Sequence, residues 1–378
     1  MPASQPPSLP VPQPTHRIAF ALGGLAGANG FGAGVLTAAR AAGVEPDLIS
    51  CTSGMIHWTW RYLENADLRQ ELAAAIAHQK QPDPKPASLW SLMTSGVEGV
   101  FRTATTEYWS RFLTSPPPVT ANDWLERLMP AQMWVPTRSD DLFEAMASCF
   151  NSWDRPLFLN SYAPRRGVEL VHMNPAGYDL WRAYGNPAFC DGDGDTATPP
   201  RRRTSATGGV LPATLPRTIT AGAIRDALWL TRYGFESQKR IDGAYVRQFL
   251  LNELIAADTI LVARPRRFDW QGNLPRTSLD IEDLETKLWF DSSYMQQIHH
   301  IDFINRGVAS GALRSALYHP VDVLPVEVQS ERGFFDYFNE TIELFDEGKR
   351  EATRVIHSHV LPRLEDSNVV PIRWAKAA

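Results

Sequence analysis

A glycine-rich turn between an apolar run and a helix is the feature that most constrains the fold of this chain. Residues 17–22 have the character of a short buried strand, and residues 34–43 have the spacing of a helix closed by glycine. Gly23 and Gly24 open the turn between them. A second apolar run, residues 47–51, has the character of another strand. This succession of strand, turn, helix and strand predicts an α/β fold.

The second apolar run leads into a serine among small residues, in the order Cys51-Thr52-Ser53-Gly54-Met55. A serine at a strand-to-helix turn can hold its hydroxyl clear of the backbone, as the nucleophile elbow of serine hydrolases does. An ordinary helix N-cap is the alternative role, because a Thr-Ser-Gly sequence can satisfy the first N–H groups of an apolar helix. We take Ser53 as the candidate nucleophile.

Backbone N–H groups near this serine can stabilise the negative charge that develops on a carbonyl oxygen under attack. The candidate oxyanion donors are Gly23, Gly24 and Leu25 in the turn, with Gly54 in the elbow. The turn also precedes a helix, whose N-terminal dipole favours negative charge.

These motifs resemble those of the patatin-like phospholipase and acyl hydrolase family. That family has Gly-Gly-Gly-x-Arg-Gly after a first strand, Gly-x-Ser-x-Gly after a second, and Asp-Gly-Gly or Asp-Gly-Ala far downstream. The third motif corresponds to Asp242-Gly243-Ala244, ahead of a helix-like run at residues 247–256 and an apolar strand at 259–265. The resemblance covers residues 17–265, with weaker similarity near residues 338–348.

The resemblance implies a three-layer α/β sandwich with a central, mainly parallel sheet, a serine nucleophile elbow and a helical insertion. Family members use a serine–aspartate dyad without histidine, so it assigns Ser53 as nucleophile and Asp242 as its base. It implies phospholipase A-type or nonspecific lipid acyl hydrolase activity through an acyl-enzyme, on a lipid or other acyl ester, without a cofactor or metal. By itself, Asp242 before glycine would be an ordinary turn residue.

The chain departs from the family pattern in both motifs. Cys51 and Met55 stand where the family has glycine, and Ala28 or Asn29 stands in place of its arginine. Helix and strand backbones approach closely at an elbow, so the Met55 side chain is expected to point away from the first strand. The alternative is a patatin-like scaffold that has lost its chemistry and binds lipid or protein.

A nucleotide-binding α/β protein is a less favoured alternative. Its Gly-x-Gly-x-x-Gly fingerprint is not met, and no acidic residue ends the second strand. His57, one turn after Ser53, is the histidine closest to the candidate nucleophile in the chain, but the family does without one. Residues 191–195 resemble the start of a calcium loop without its closing glutamate, which favours a flexible acidic loop over a metal site.

The chain is predicted to form one α/β hydrolase domain over residues 16–378, after a disordered proline-rich leader at residues 1–15. Residues 63–146 have helical patterns broken by prolines and are predicted to be a cap-like insertion. Residues 186–216, rich in glycine, proline, aspartate and arginine, are predicted to be a flexible loop.

Composition narrows the classes of partner and compartment. The net charge of −5 over 378 residues gives no electrostatic attraction to nucleic acid. Three cysteines, Cys51, Cys149 and Cys190, lack the spacing of a disulfide framework or zinc site, which favours the cytoplasm. The chain has no apolar run of the roughly 18 residues that a membrane span needs, although a lipid hydrolase can contact a bilayer surface peripherally. The oligomeric state is not predicted.

Overall fold

A mostly parallel sheet forms the centre of the computed structural model. The described residues are 16–25, 28–79, 101–128, 132, 134–184, 213–235, 239–270, 274–313, 318–330 and 341–366. Their strands are β1 (Ile18–Leu22), β2 (Leu48–Cys51), β3 (Phe101–Thr103), β4 (Trp134–Pro136), β5 (Leu157–Ala163), β6 (Val168–Met173), β7 (Ala213–Thr218), β8 (Ile241–Asp242), β9 (Thr259–Arg264) and β10 (Asp322–Glu327).

The main sheet has the strand order β10-β9-β1-β2-β5-β6-β7, and β8 pairs with β5 outside that path. Its pairs are parallel except for β5 with β6 and β5 with β8. All five residues of β1 are buried, because a central parallel strand is covered on both faces. Phe20 and Leu22 belong to one hydrophobic core, whereas Ala19 and Ala21 belong to a second. The two cores are compatible with a three-layer sandwich, and the predicted α/β class is confirmed.

The described helices surround this sheet. They are α1 (Asn29–Ala41), α2 (Met55–Leu63), α3 (Leu68–Gln79), α4 (Thr105–Thr114), α5 (Ala121–Leu128), α6 (Asp140–Ser152), α7 (Pro175–Ala183), α8 (Ala221–Ala227), α9 (Ser278–Ala309), α10 (Ile342–Val355) and α11 (Leu361–Asp366), with a π-helical turn at Ile356–Val360. Among the helices of the described ranges, none combines the length and hydropathy needed to cross a membrane.

Helices α1 and α10 approach each other at glycines. A Cβ on Gly34 would overlap the carbonyl oxygen of Phe345 and lie 2.7 Å from the backbone nitrogen of Lys349. A Cβ on Gly348 would likewise lie 2.9 Å from the carbonyl carbon of Phe31. The obstructing atoms are backbone atoms, so neither helix can yield by a simple side-chain rotation. This contact holds α1, and with it the glycine-rich turn, against the body of the fold.

The cap-like segment, residues 63–146, contains α3, α4, α5 and most of α6, as its helical patterns predict. It also contains β3 and β4, which pair antiparallel and were not predicted. Residues 80–100 of this segment lie outside the described part of the chain, as do the predicted leader at residues 1–15 and the acidic run at 191–195.

The predicted loop at residues 186–216 is wrong at its C-terminal end, where β7 begins at Ala213. Residues 186–212 lie outside the described ranges. β7 pairs parallel with β6 at one end of the sheet, and the Pro216 position lies opposite Val171. Proline is tolerated on an edge strand because its missing N–H can face away from the neighbouring strand.

The helix-like pattern of residues 247–256 does not form an α-helix; its described structure is irregular, with one 3₁₀ turn at Asn252–Leu254. The side chain of Gln297, distant in sequence, forms hydrogen bonds with this backbone instead. Gln297 on α9 donates to the Phe249 carbonyl at 2.8 Å and accepts the Leu251 N–H at 2.9 Å. These bonds replace the intrahelical bonds that the sequence pattern predicts.

Candidate active site

Ser53 occupies a tight turn between β2 and α2. Its φ of 51° lies in the left-handed region, which a non-glycine residue seldom adopts and which costs about 1–3 kcal/mol. The turn leads directly into the helix, because the Met55 N–H donates to the Thr52 carbonyl at 3.1 Å and the Ile56 N–H donates to the Ser53 carbonyl at 3.0 Å. The predicted strand, serine turn and helix therefore occur in that order, with a strained serine backbone at the turn.

Asp242 ends β8 and is 1% exposed. Its N–H donates to the Trp229 carbonyl at 2.9 Å, and its Oδ1 accepts the Ala244 N–H at 2.8 Å. The Ser53 side chain also lies close enough to the Asp242 carboxylate to lower its pKa. The structure thus brings together the two residues of the predicted dyad from distant parts of the chain.

Burial raises the pKa of Asp242 from 3.8 to about 7, although hydrogen bonds from Ser53 and the Ala244 N–H act in the opposite direction. Desolvation disfavours the charged carboxylate, and these two donors recover only part of the lost hydration. A carboxylate with a pKa near neutrality is a stronger base than an ordinary aspartate. Its proton affinity suits a general base that acts near pH 7 and above.

The glycine-rich turn packs directly on the serine turn. A Cβ on Gly24 would overlap the Thr52 carbonyl oxygen and lie 2.7 Å from the Ser53 Cβ and 2.8 Å from the Gly54 nitrogen. Any side chain at position 24 would therefore separate the two turns. Their close approach gives a physical reason for glycine at this position.

Two buried polar side chains hold Gly24 from both sides. The Thr52 hydroxyl accepts the Gly24 N–H at 3.2 Å and donates to the Gln248 carbonyl at 2.7 Å. The Gln248 side-chain amide donates to the Gly24 carbonyl at 3.0 Å. Sequence reasoning missed both positioning residues. Thr52 has a local signal, as a hydroxyl beside the candidate nucleophile, but the contact of Gln248 arises only from the tertiary structure.

Two of the four predicted oxyanion donors have protein acceptors. The Gly24 N–H donates to Thr52, and the Leu25 N–H donates to Asn29 Oδ1 at 3.0 Å. Within the described residues, the N–H groups of Gly23 and Gly54 have no such acceptor. The geometry therefore favours Gly23 and Gly54 over Gly24 and Leu25 as donors to a ligand.

Met55 and Cys51, the two departures in the elbow, are both fully buried. The Met55 thioether lies against Gly32 of α1, where any Cβ would overlap its Sδ and Cε atoms. The absence of a side chain at Gly32 thus makes room for the one at Met55. Burial raises the pKa of the Cys51 thiol to about 12, so this thiol stays protonated and unreactive at neutral pH.

His57 is on α2, where its Nδ1 lies 3.1 Å from Nη1 of Arg138. Since guanidinium can only donate, Nδ1 is the acceptor and the imidazole is neutral. Burial, followed by the charges of Arg138 and Arg61, lowers the pKa of His57 to about 3. In the described part of the chain, His57 forms no hydrogen bond with Ser53 or Asp242. Asp242 is therefore the base that the geometry offers.

No family model matches this chain, and no curated protein matches it. Among the described residues, no group of three or more histidine, cysteine, aspartate or glutamate side chains is arranged to hold a metal ion. A cavity of about 570 Å³ lies in the cap-like segment, but neither Ser53 nor Asp242 lines it.

Proposed function

We propose that this chain is a serine acyl hydrolase of the patatin-like type, in which Ser53 and Asp242 act as a dyad. One observation carries the proposal: a serine with positive φ, at a strand-to-helix turn, lies beside a buried aspartate whose pKa is raised to about 7. A helix N-cap and a turn aspartate would require neither this proximity nor the burial of Asp242. The accommodation of Met55 by Gly32 argues against a degraded elbow.

In this mechanism, Asp242 accepts the Ser53 proton while the serine oxygen attacks the carbonyl carbon of an ester. The carbonyl π electrons move onto oxygen, and N–H groups of Gly23 and Gly54 stabilise that oxyanion. Collapse of the intermediate breaks the ester C–O bond, and the alcohol leaves with the proton held by Asp242. Asp242 then takes a proton from water, whose oxygen attacks the acyl-enzyme. The acid departs as the proton returns to Ser53.

An apolar acyl ester, such as a lipid, is the proposed substrate class. The described part of the cap-like segment exposes several large apolar side chains to solvent: Trp109, Leu113, Val119, Trp124, Leu125 and Leu128. Aromatic and aliphatic side chains of this kind favour contact with acyl chains or with the surface of a lipid aggregate. This exposure supports peripheral contact with a membrane during turnover.

The dyad is tested with Ser53→Ala and Asp242→Asn, using hydrolysis of p-nitrophenyl esters of short and long acids. Each variant is expected to lower kcat/KM at least about 10³-fold while remaining folded by circular dichroism. The double variant should be scarcely slower than either single variant, because both residues act in one step. Losses that multiply would contradict a dyad.

Ser50→Ala provides the matched control. Ser50 lies on β2, is 1% exposed, and its hydroxyl has no hydrogen-bond partner within the described residues. Its replacement should leave turnover within about twofold of wild type, since it removes a buried hydroxyl that makes no bond. A fluorophosphonate probe should label wild type and Ser50→Ala on Ser53. A wild-type protein that neither hydrolyses acyl esters nor takes the label would favour the binding scaffold instead.

A further inference from the structure

The side chain of Asn29 lies where the glycine-rich turn meets the serine turn. Asn29 begins α1 and is 6% exposed. Its Oδ1 accepts the Leu25 N–H at 3.0 Å. Its amide group fills the space beside Gly54: a Cβ there would overlap Nδ2 and lie 2.7 Å from Cγ. A side chain that joins both turns is well placed to act on chemistry between them.

The bond to Leu25 fixes which end of the amide faces which turn. A backbone N–H can only donate, so the amide atom that faces Leu25 must be oxygen. The Nδ2 end therefore faces Gly54, the residue after the candidate nucleophile. The oxyanion of a serine hydrolase forms beside the N–H of that residue. Nδ2 thus lies beside the residue whose N–H would meet the developing negative charge.

We propose that the Asn29 side-chain amide is a third oxyanion donor, with the N–H groups of Gly23 and Gly54. This inference rests on the proposed function. It explains how the site compensates for Gly24 and Leu25, whose N–H groups already donate to Thr52 and Asn29. One side chain then has two roles: Oδ1 holds the turn, and Nδ2 donates to the carbonyl oxygen as Ser53 attacks its carbon.

The experiment compares an ester with the thionoester of the same acid and alcohol. Sulfur is a weaker hydrogen-bond acceptor than oxygen, so an oxyanion donor accelerates ester hydrolysis more than thionoester hydrolysis. Asn29→Ala should therefore lower kcat for the ester about 10²-fold and lower the ester-to-thionoester ratio of kcat/KM about tenfold or more. Asn29→Asp retains an oxygen for the Leu25 N–H but lacks the amide donor. Asn29→Asp should also lower the ester-to-thionoester ratio of kcat/KM. It provides the same test if Asn29→Ala fails to fold.

Thr52→Val is the matched control, because it removes the hydroxyl that holds Gly24 and leaves the Asn29 amide in place. It should slow the ester and thionoester by similar factors and leave their ratio unchanged. If wild type is active through Ser53 but both Asn29 variants keep the wild-type ratio within about twofold, the Asn29 inference is wrong and the dyad stands. A wild type without turnover or labelling at Ser53 overturns the dyad and this inference together.

Discussion

Replacing the proposed base should make the protein more stable at alkaline pH while it abolishes catalysis. Asp242→Asn keeps the shape of the side chain and an oxygen that can accept the Ala244 N–H. It removes a negative charge that is almost completely buried, with 1% of the residue exposed. The expected gain follows from the pKa shift, since a shift from 3.8 to about 7 at about 1.36 kcal/mol per unit is about 4 kcal/mol at most.

The stability that Asp242→Asn gains over wild type depends on pH. Below pH 3.8 the carboxyl group is protonated in both the native and unfolded states, and the variant has no advantage. Between 3.8 and about 7 the unfolded chain releases this proton while the native protein retains it, so the wild-type free energy of unfolding falls as pH rises. Above about 7 both states are ionised and the difference is constant. The advantage of Asp242→Asn should therefore grow from pH 4 to 7 and then level off.

Urea unfolding of wild type and variant at pH 4.5, 6 and 8.5 measures this difference directly. Asp140→Asn is the control for the change in net charge, because Asp140 is an exposed carboxylate on α6 whose ion pair with Arg225 is worth at most about 1 kcal/mol. Its difference from wild type should stay small at each pH. Protonation of Asp242 should also make the wild-type kcat/KM fall as pH drops through about 7. If Asp242→Asn is no more stable than wild type at pH 8.5, or its advantage does not grow with pH, Asp242 does not have the raised pKa on which the mechanism depends.

Two packing predictions follow from the glycines of α1. Gly34→Ala should lower the free energy of unfolding by about 1–3 kcal/mol, because its Cβ meets the backbone of α10. The control Gly222→Ala should be neutral or stabilising, because the nearest neighbour of its Cβ is 3.8 Å away. Equal effects of the two substitutions in urea unfolding would exclude the backbone contact. Gly32→Ala should be less destabilising in a Met55→Ala background than in wild type, by about 0.5–3 kcal/mol, because the overlap with the thioether disappears. Additive effects in that double-mutant cycle would show that Gly32 does not accommodate Met55.

The parts of the site that are close together in sequence were accessible from the sequence. The order of an apolar run, small residues around Ser53 and then a helix predicts a strand-to-helix turn, and the structure has φ of 51° there. The glycine-rich turn after β1 was equally accessible. Both predictions depend on local rules, namely the periodicity of apolar residues and the conformational freedom of small ones.

Asp242 was only partly accessible from the sequence. Its position before Gly243 and Ala244 suggests only a turn, and its pairing with Ser53 was inferred from a family resemblance. Residues 247–256, directly after it, show what local rules cannot predict. Their helical periodicity is overridden because Gln297 and Thr52, distant in sequence, bond to their backbone groups.

The sequence by itself thus predicted the α/β class and the serine turn, and its resemblance to a family pointed to Ser53 and Asp242 as candidate catalytic residues. Only the tertiary structure decided which N–H groups have protein acceptors, how Gly32 makes room for Met55, and that Asn29 connects the two turns. The raised pKa of Asp242 was also decided only by the tertiary structure, because burial causes it. The physical reason is one of range: backbone conformation follows from neighbouring residues, whereas burial and hydrogen-bond partners depend on which distant segments pack together.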